Sequence, residues 1–307
     1  MCYDECVEEA ILKTLAYADI FDYPLTPQEV HKFLISDKPA DLDFVQKTLS
    51  RMSAKKKRTS ADKTEHFYFL AGRESIVGLR KEKAKFSRRK LKIAHKTANF
   101  LKVIPTIKLI GITGRLAMEN SEKDDDIDFL IIVSANRLWL TRLLVVIFLE
   151  LLGERRRPQD KDVKDKICLN MFLDEKHLSL PAKERDLYTA HEVVQMRPLW
   201  AKDKTYEKFL KANEWVKGYL PNALPQKVLG IKYKVSKSKK LPTVHCPLLT
   251  VFERLARKTQ FWYMRRRRTT EVVSSHRALF HPKSARGWVL EEYQKKLKEL
   301  GLGGELQ

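Results

Sequence analysis

The sequence predicts an α/β protein of the α+β kind. A small mixed sheet is expected between an N-terminal helical unit that ends in a hairpin and a C-terminal helical region. Three observations predict it. Two apolar segments of strand length, 107–112 and 127–133, enclose a polar loop. An apolar stretch follows at 138–152, and a third strand-like run at 167–173. With the long basic helix expected at 79–101, the order is helix–strand–loop–strand–helix–strand, the pattern of helices packed on a sheet. The texture changes place units at 1–76, 77–175 and 176–307, with a basic connector at 226–242.

In the first unit, Ile11, Leu15 and Ala18 recur at helical spacing. Thr26-Pro27-Gln28-Glu29 forms a capping box: Thr26 caps, Pro27 suits the first helical position, and Glu29 reaches back to the cap amide. A third helix is expected from Asp41, burying Val45, Leu49 and Met52. A basic stretch, Lys55 to Arg58, a polar turn at Ser60-Ala61-Asp62 and a strand at His66–Leu70 follow. Three short helices and a hairpin resemble a winged helix-turn-helix domain. Such a domain either contacts phosphates, here through Lys47, Arg51 and Lys55 to Arg58, or serves packing and protein contact alone.

The stretch at 138–152 contains Arg142 and Glu150 and is shorter than the ~20 residues needed to cross a bilayer. A buried helix is expected there, and no membrane partner. After about residue 180 helices are expected at 184–196, 206–220, 248–267 and 288–300, with 232–240 as a mobile lysine-rich link. No signal peptide is visible at the N-terminus. The four cysteines, Cys2, Cys6, Cys168 and Cys246, have neither zinc-knuckle nor disulfide-framework spacing. They read as reduced cysteines of a cytoplasmic protein.

The chain has 60 Lys+Arg against 39 Asp+Glu, a net charge of +21. With 43% hydrophobic residues it is not a disordered polycation. All of the excess lies in three patches: Arg80 to Lys96, Lys227 to Lys240 and Arg254 to Arg268. Such patches suit polyanions, including nucleic acid, or are solvated helix faces. Arg265, Arg266, Arg267 and Arg268 follow Phe261-Trp262-Tyr263. That mixture fits nucleic-acid contact through stacking and phosphate pairing, and fits equally the end of a helix with buried aromatics.

The most specific signal lies in Gly111-Ile112-Thr113-Gly114-Arg115-Leu116-Ala117 and Asp124-Asp125-Asp126-Ile127-Asp128-Phe129. A strand runs into a glycine turn that opens a short helix, an arrangement of backbone amides suited to a triphosphate. Twelve residues after Gly114 comes Asp126, and two further on Asp128. On a strand these two carboxylates share a face, while Ile127, Phe129 and Ile131 turn to the core. Paired carboxylates of this kind hold Mg²⁺ ions that bridge phosphate oxygens.

At these residues the chain resembles the polymerase-β-type nucleotidyltransferase superfamily. Its signature is an apolar strand, Gly-Ser, about a dozen residues, then Asp-x-Asp flanked by apolar residues. The resemblance is specific over about 105–175. It implies that Gly114 holds the phosphate turn, that Asp126 and Asp128 bind Mg²⁺, and that a nucleoside monophosphate passes from a nucleoside triphosphate to a hydroxyl or similar acceptor; the basic patches add RNA as a candidate acceptor. Two positions depart from the pattern. Arg115 replaces the serine, as a γ-phosphate contact or as bulk that closes the site. The usual third carboxylate falls at Asn170, able to ligate Mg²⁺ but not to act as a base. Asp165 and Glu192 are the candidate bases, Glu192 on a helix where an ordinary surface role is the plain alternative. A second function therefore stands beside the enzyme: a nucleotidyltransferase-fold protein without chemistry, regulating by binding DNA or RNA.

Overall fold

A computed structural model of the chain describes residues 3–54, 61–64, 66–224, 234–236, 247–265, 272–279 and 284–303. The protein is a mixed α/β structure. Its N-terminal unit contains α1 (Tyr3–Asp19), α2 (Pro27–Lys32), α3 (Leu42–Ala54) and an antiparallel hairpin of β1 (Ala61–Thr64) and β2 (Phe67–Leu70). The capping box at Thr26 forms as expected, and Val45, Leu49 and Met52 are buried on one face of α3. Ala61 and Asp62, expected in a turn, instead pair with Leu70 and Phe69. Pairing with the aromatic strand Phe67–Leu70 overrides their weak strand propensity. Lys55 to Arg58 lie outside the described residues. Arg51 is taken up within the unit, by Asp4 and Glu8 of α1.

Next comes α4 (Ile76–Leu101), then β3 (Ile107–Ile112), the single turn α5 (Gly114–Ala117), β4 (Ile127–Val133), α6 (Leu138–Leu151) and β5 (Ile167–Asp174). These are the elements the apolar runs predict. β3 and β4 are antiparallel, and β4 and β5 parallel with α6 in the crossover. Both faces of the sheet are covered, so β4 is buried at every position except Asp128.

The remainder runs α7 (Leu187–Gln195), β6 (Arg197–Lys202), α8 (Thr205–Ala212), β7 (Lys234–Ser236), α9 (Pro247–Arg265), β8 (Val272–Val273), β9 (Arg277–Leu279) and α10 (Ser284–Glu299). The region expected to be helical thus also supplies strands. The sheet order is β7-β6-β3-β4-β5-β9-β8, in which β6-β3-β4-β5-β9 are the inner five. β6 hides from sequence reading because Pro198–Ala201 is a buried run only four residues long. Lys234–Ser236, within the expected connector, pairs in parallel with β6. The helix expected over 206–220 stops at buried Asn213, and a 3₁₀ turn follows at Glu214–Gly218. The Asn213 side chain is occupied elsewhere: it accepts from Leu180 N and Trp215 Nε1 and donates to Leu178 O.

α4 departs most from expectation. Leu79, one of its few apolar residues, is 41% exposed. The buried stripe runs instead through Ser87, Lys90, Leu91, Ala94, Thr97, Ala98 and Leu101. Lys90, counted in the first basic patch, is 1% exposed. Its ammonium donates to the Lys123 and Asp125 carbonyls and, at 2.9 Å, to Asp165 Oδ1. Arg80 of the same patch is bidentate on Glu29, at 2.9 Å for each bond, and stacks over Tyr23. Much of this patch therefore ties the N-terminal unit and the acidic loop to α4, leaving Lys85, Arg88 and Lys92 facing solvent.

In the third patch, Arg265 is the exposed last residue of α9, whereas Arg266, Arg267 and Arg268 lie outside the described residues. Met264 is buried, Phe261 packs on Trp139, and Trp262 is 70% exposed. Among the described residues no helix is long and apolar enough to cross a membrane.

Replacing Lys90 with Met strands a mostly buried carboxylate and two loop carbonyls. It is expected to lower unfolding stability by about 3 kcal/mol, whereas Lys85→Met should change it by less than about 0.5 kcal/mol. Urea melts of the two variants check this difference.

Candidate active site

Asp126 immediately precedes β4 and Asp128 is its second residue, and the two-residue repeat turns both carboxylates to one side while Ile127 enters the core. Gly114 stands opposite. Its φ of +63° is a conformation that side chains disfavour, and an added Cβ would lie 2.9 Å from Asp128 Oδ2. The glycine is therefore needed twice, for the turn and for the close approach of the carboxylate. Thr113 N donates to Asp128 O at 3.1 Å, which fastens the turn to the acidic strand.

A cavity of about 390 Å³ lies over this pair, a size suited to a small-molecule ligand. Asp126, Asp128, Gly114 and Arg115, the residues singled out in the sequence, line one wall. Tyr188, His191 and Glu192 of α7 line another, so Glu192 does face the acidic pair across a shared space. The remaining walls were not legible in the sequence. They are Tyr17, Phe21, Tyr23 and Phe33 of the N-terminal unit and Trp288 and Val289 of α10. His191 forms part of this support: it is buried, stacks on Tyr17 at 3.9 Å and bonds Leu187 O through Nδ1. Burial lowers its pKa to about 4, so it is neutral.

Arg115 points along the rim. It pairs with Glu122 at 3.0 Å and Asp125 at 3.5 Å, and is exposed. Asp165 does not line the cavity. Its carboxylate is held by Lys90 and Arg89, each at 2.9 Å, behind the acidic loop. Asn170 is buried and donates to Thr113 Oγ1 at 3.3 Å, bracing the residue before Gly114.

The side chain in register with Asp128 on β5 is Cys168. Asp126, Asp128 and Cys168 offer ligand atoms all within 4.8 Å of one another. A register shift between Asp128/Cys168 and Leu130/Met171 puts an extra residue in β5, so Asn170, the position matched to the family's third carboxylate, is not the one paired with Asp128. Burial, and then the charges of Asp128 and Asp126, push the Cys168 thiol well above its ordinary range, so it is a neutral thiol.

Arg156 is the other residue missed. Residues 154–156 run beside the start of β5, with Arg156 N donating to Ile167 O. Extended alternation turns Arg155 and Arg157 outward to Glu150 and sends Arg156 inward. Its guanidinium donates to Asp126 Oδ2 at 2.5 Å. Burial and the charge of Asp128 nevertheless hold the Asp126 carboxyl above its usual range, against the pull of Arg156. Two carboxylates, one of them reluctant to ionise, fit a divalent cation: one would relieve their repulsion and both would remain charged. Tyr188 reports the same field, its hydroxyl pushed up by Glu192 first, then by burial and Asp128.

No protein-family model, curated protein or solved structure matches the chain.

Because its folded pKa is raised, Asp126 binds a proton more readily in the folded protein than in the unfolded chain. Stability is thus lost as pH rises through that range. Asp128→Asn removes one cause of the shift. In metal-free buffer at neutral pH it is expected to melt above the unsubstituted protein, with the gap closing on acidification; thermal melts across pH check this. Gly114→Ala should cost about 1–3 kcal/mol and displace Asp128, read as lost stability together with weaker divalent-cation binding.

Proposed function

We propose that the protein is a Mg²⁺-dependent nucleotidyltransferase, with a polymerase-β-type core and a winged-helix-like N-terminal unit. The observation that carries this reading is the Gly114 turn packed against Asp128, with Asp126 beside it, at the floor of a ligand-sized cavity. Mg²⁺ held by Asp126 and Asp128 would neutralise phosphate oxygens of a bound nucleoside triphosphate.

The turn at Gly114–Arg115 receives phosphate on its backbone amides, and the aromatic walls exclude water. Glu192 takes the proton of an acceptor hydroxyl as that oxygen bonds to the α-phosphorus. The bond from the α-phosphorus to the bridging oxygen breaks, and pyrophosphate leaves with its electron pair. Arg115 turns from Glu122 and Asp125 to the departing phosphates. The acceptor is a hydroxyl compound, with RNA supported by the exposed Lys85, Arg88 and Lys92 of α4.

A second reading rests on Cys168. A neutral thiol in place of a third carboxylate suits a protein that binds nucleotide without transferring it, and that regulates through nucleic acid. The take-up of Arg51 by Asp4 and Glu8 weighs against a DNA-reading α3.

Transfer of labelled nucleoside monophosphate from each of the four triphosphates to RNA and small-molecule acceptor pools, with Mg²⁺, tests the enzyme. Asp126→Asn with Asp128→Asn is expected to abolish transfer, and Glu192→Gln to reduce it by about 10²–10⁴-fold with triphosphate affinity kept. Binding without transfer in any pool would favour the regulator.

A further inference from the structure

At the other end of the sheet from Asp126 and Asp128, β5 finishes at Asp174, a fully buried carboxylate in register with Val133. Two imidazoles face it. His177 Nδ1 lies 3.7 Å from Asp174 Oδ1, and His276 Nδ1 lies 3.9 Å from Oδ2. Both distances are too long for hydrogen bonds. The rings stack on one another with centroids 4.0 Å apart and an interplanar angle of 19°. All three ligand atoms lie within 4.8 Å of one another.

This arrangement is fixed by the backbone. His177 N donates to Asp174 O at 2.8 Å, and Asp174 N donates to His276 O at 3.0 Å. Ser274 Oγ accepts from His276 N and Arg277 N, shaping the turn that presents the second histidine. The carboxylate is oriented too, since Oδ2 accepts from Asn136 N at 2.6 Å and Oδ1 from Lys176 N at 2.9 Å. One polar atom is left over: His276 Nδ1 is buried and has no hydrogen-bond partner among the described residues.

We propose that Asp174, His177 and His276 form a binding site for a divalent transition-metal cation of the Zn²⁺ type. Two imidazole nitrogens and one carboxylate oxygen are the donor set such a cation selects over Mg²⁺. Ligands at about 2.1 Å from a tetrahedral ion stand about 3.4 Å apart, so binding draws the two imidazoles in from 3.7 and 3.9 Å from the carboxylate and turns them out of their stack. The backbone bonds and the amides on Asp174 act as the outer layer that holds metal ligands in place. Bound metal would pin the turn before β9 to the end of β5. The fourth position goes to water or a further donor, beside the cavity that His276 lines with Arg137 and Arg254.

The site is independent of the nucleotidyltransferase reading, and its test is arranged to keep the two apart. Metal-free protein carrying Asp126→Asn and Asp128→Asn is titrated with Co²⁺ and then with Zn²⁺. The expected result is one equivalent of Co²⁺ with the intense visible absorption of a tetrahedral ion, displaced by Zn²⁺. His177→Ala and His276→Ala should each weaken binding by more than the ~10–100-fold that loss of a supporting partner costs. Circular dichroism confirms that the variants fold, and His177→Gln with His276→Gln replaces them if they do not. Absence of the tetrahedral absorption, or its persistence in folded variants lacking both imidazoles, overturns the proposal.

Discussion

Two negative charges held side by side at the start of β4 are the constraint to which the rest of the site responds. At under 4.8 Å, unit charges repel by about 3–4 kcal/mol at an effective dielectric near 20. The strand cannot relieve this by turning one carboxylate away, because Ile127 and Phe129 anchor the opposite face in the core. Relief comes from outside the strand. Arg156 reaches in from the segment beside β5, Gly114 clears room for Asp128, and Lys90 fixes the loop that leads into the pair. An ion of charge +2 would complete what one guanidinium does in part.

The N-terminal unit takes its place in the same arrangement. Its order of helices and hairpin suggests a reader of nucleic acid, yet its contacts point inward. Tyr17 stacks on His191 of α7 and meets Tyr293 of α10 edge to face. Asp19 takes Arg73 at 2.7 Å and Lys296 of α10. Arg80 joins Glu29 to α4. These bonds make α1 and the segment that follows it a wall of the cavity, and several basic residues that raised the expectation of a polyanion partner are internal fasteners instead.

What could be read from the sequence follows a physical division. β3, β4, β5 and α6 are continuous apolar runs, long enough for their period to show. Asp126 and Asp128 follow from the two-residue repeat, and Gly114 from the turn that must precede them. β7 to β9 are two or three residues long, and β6, β7 and β9 pair with strands distant in sequence. Cys168 was hidden because a plain two-residue repeat gives it and Asn170 one face, and the extra residue in β5 shows only in the pairing. Lys90 was hidden because its burial depends on three oxygens from two other segments, all of them far along the chain. The aromatic walls from Tyr17 to Phe33 belong to no motif; only packing brings them to the acids.

The cavity belongs to none of the units alone. Its lining comes from α1, the Gly114 turn, β4, α7 and α10, which meet only when the whole chain is folded. A ligand seated there binds the native protein and not the unfolded chain, so mass action stabilises every wall at once. Regions that would otherwise open locally, each at its own free energy, then share a single loss on opening. Occupancy would thus make the N-terminal helices and α10 melt together, turning three adjoining units into one cooperative body.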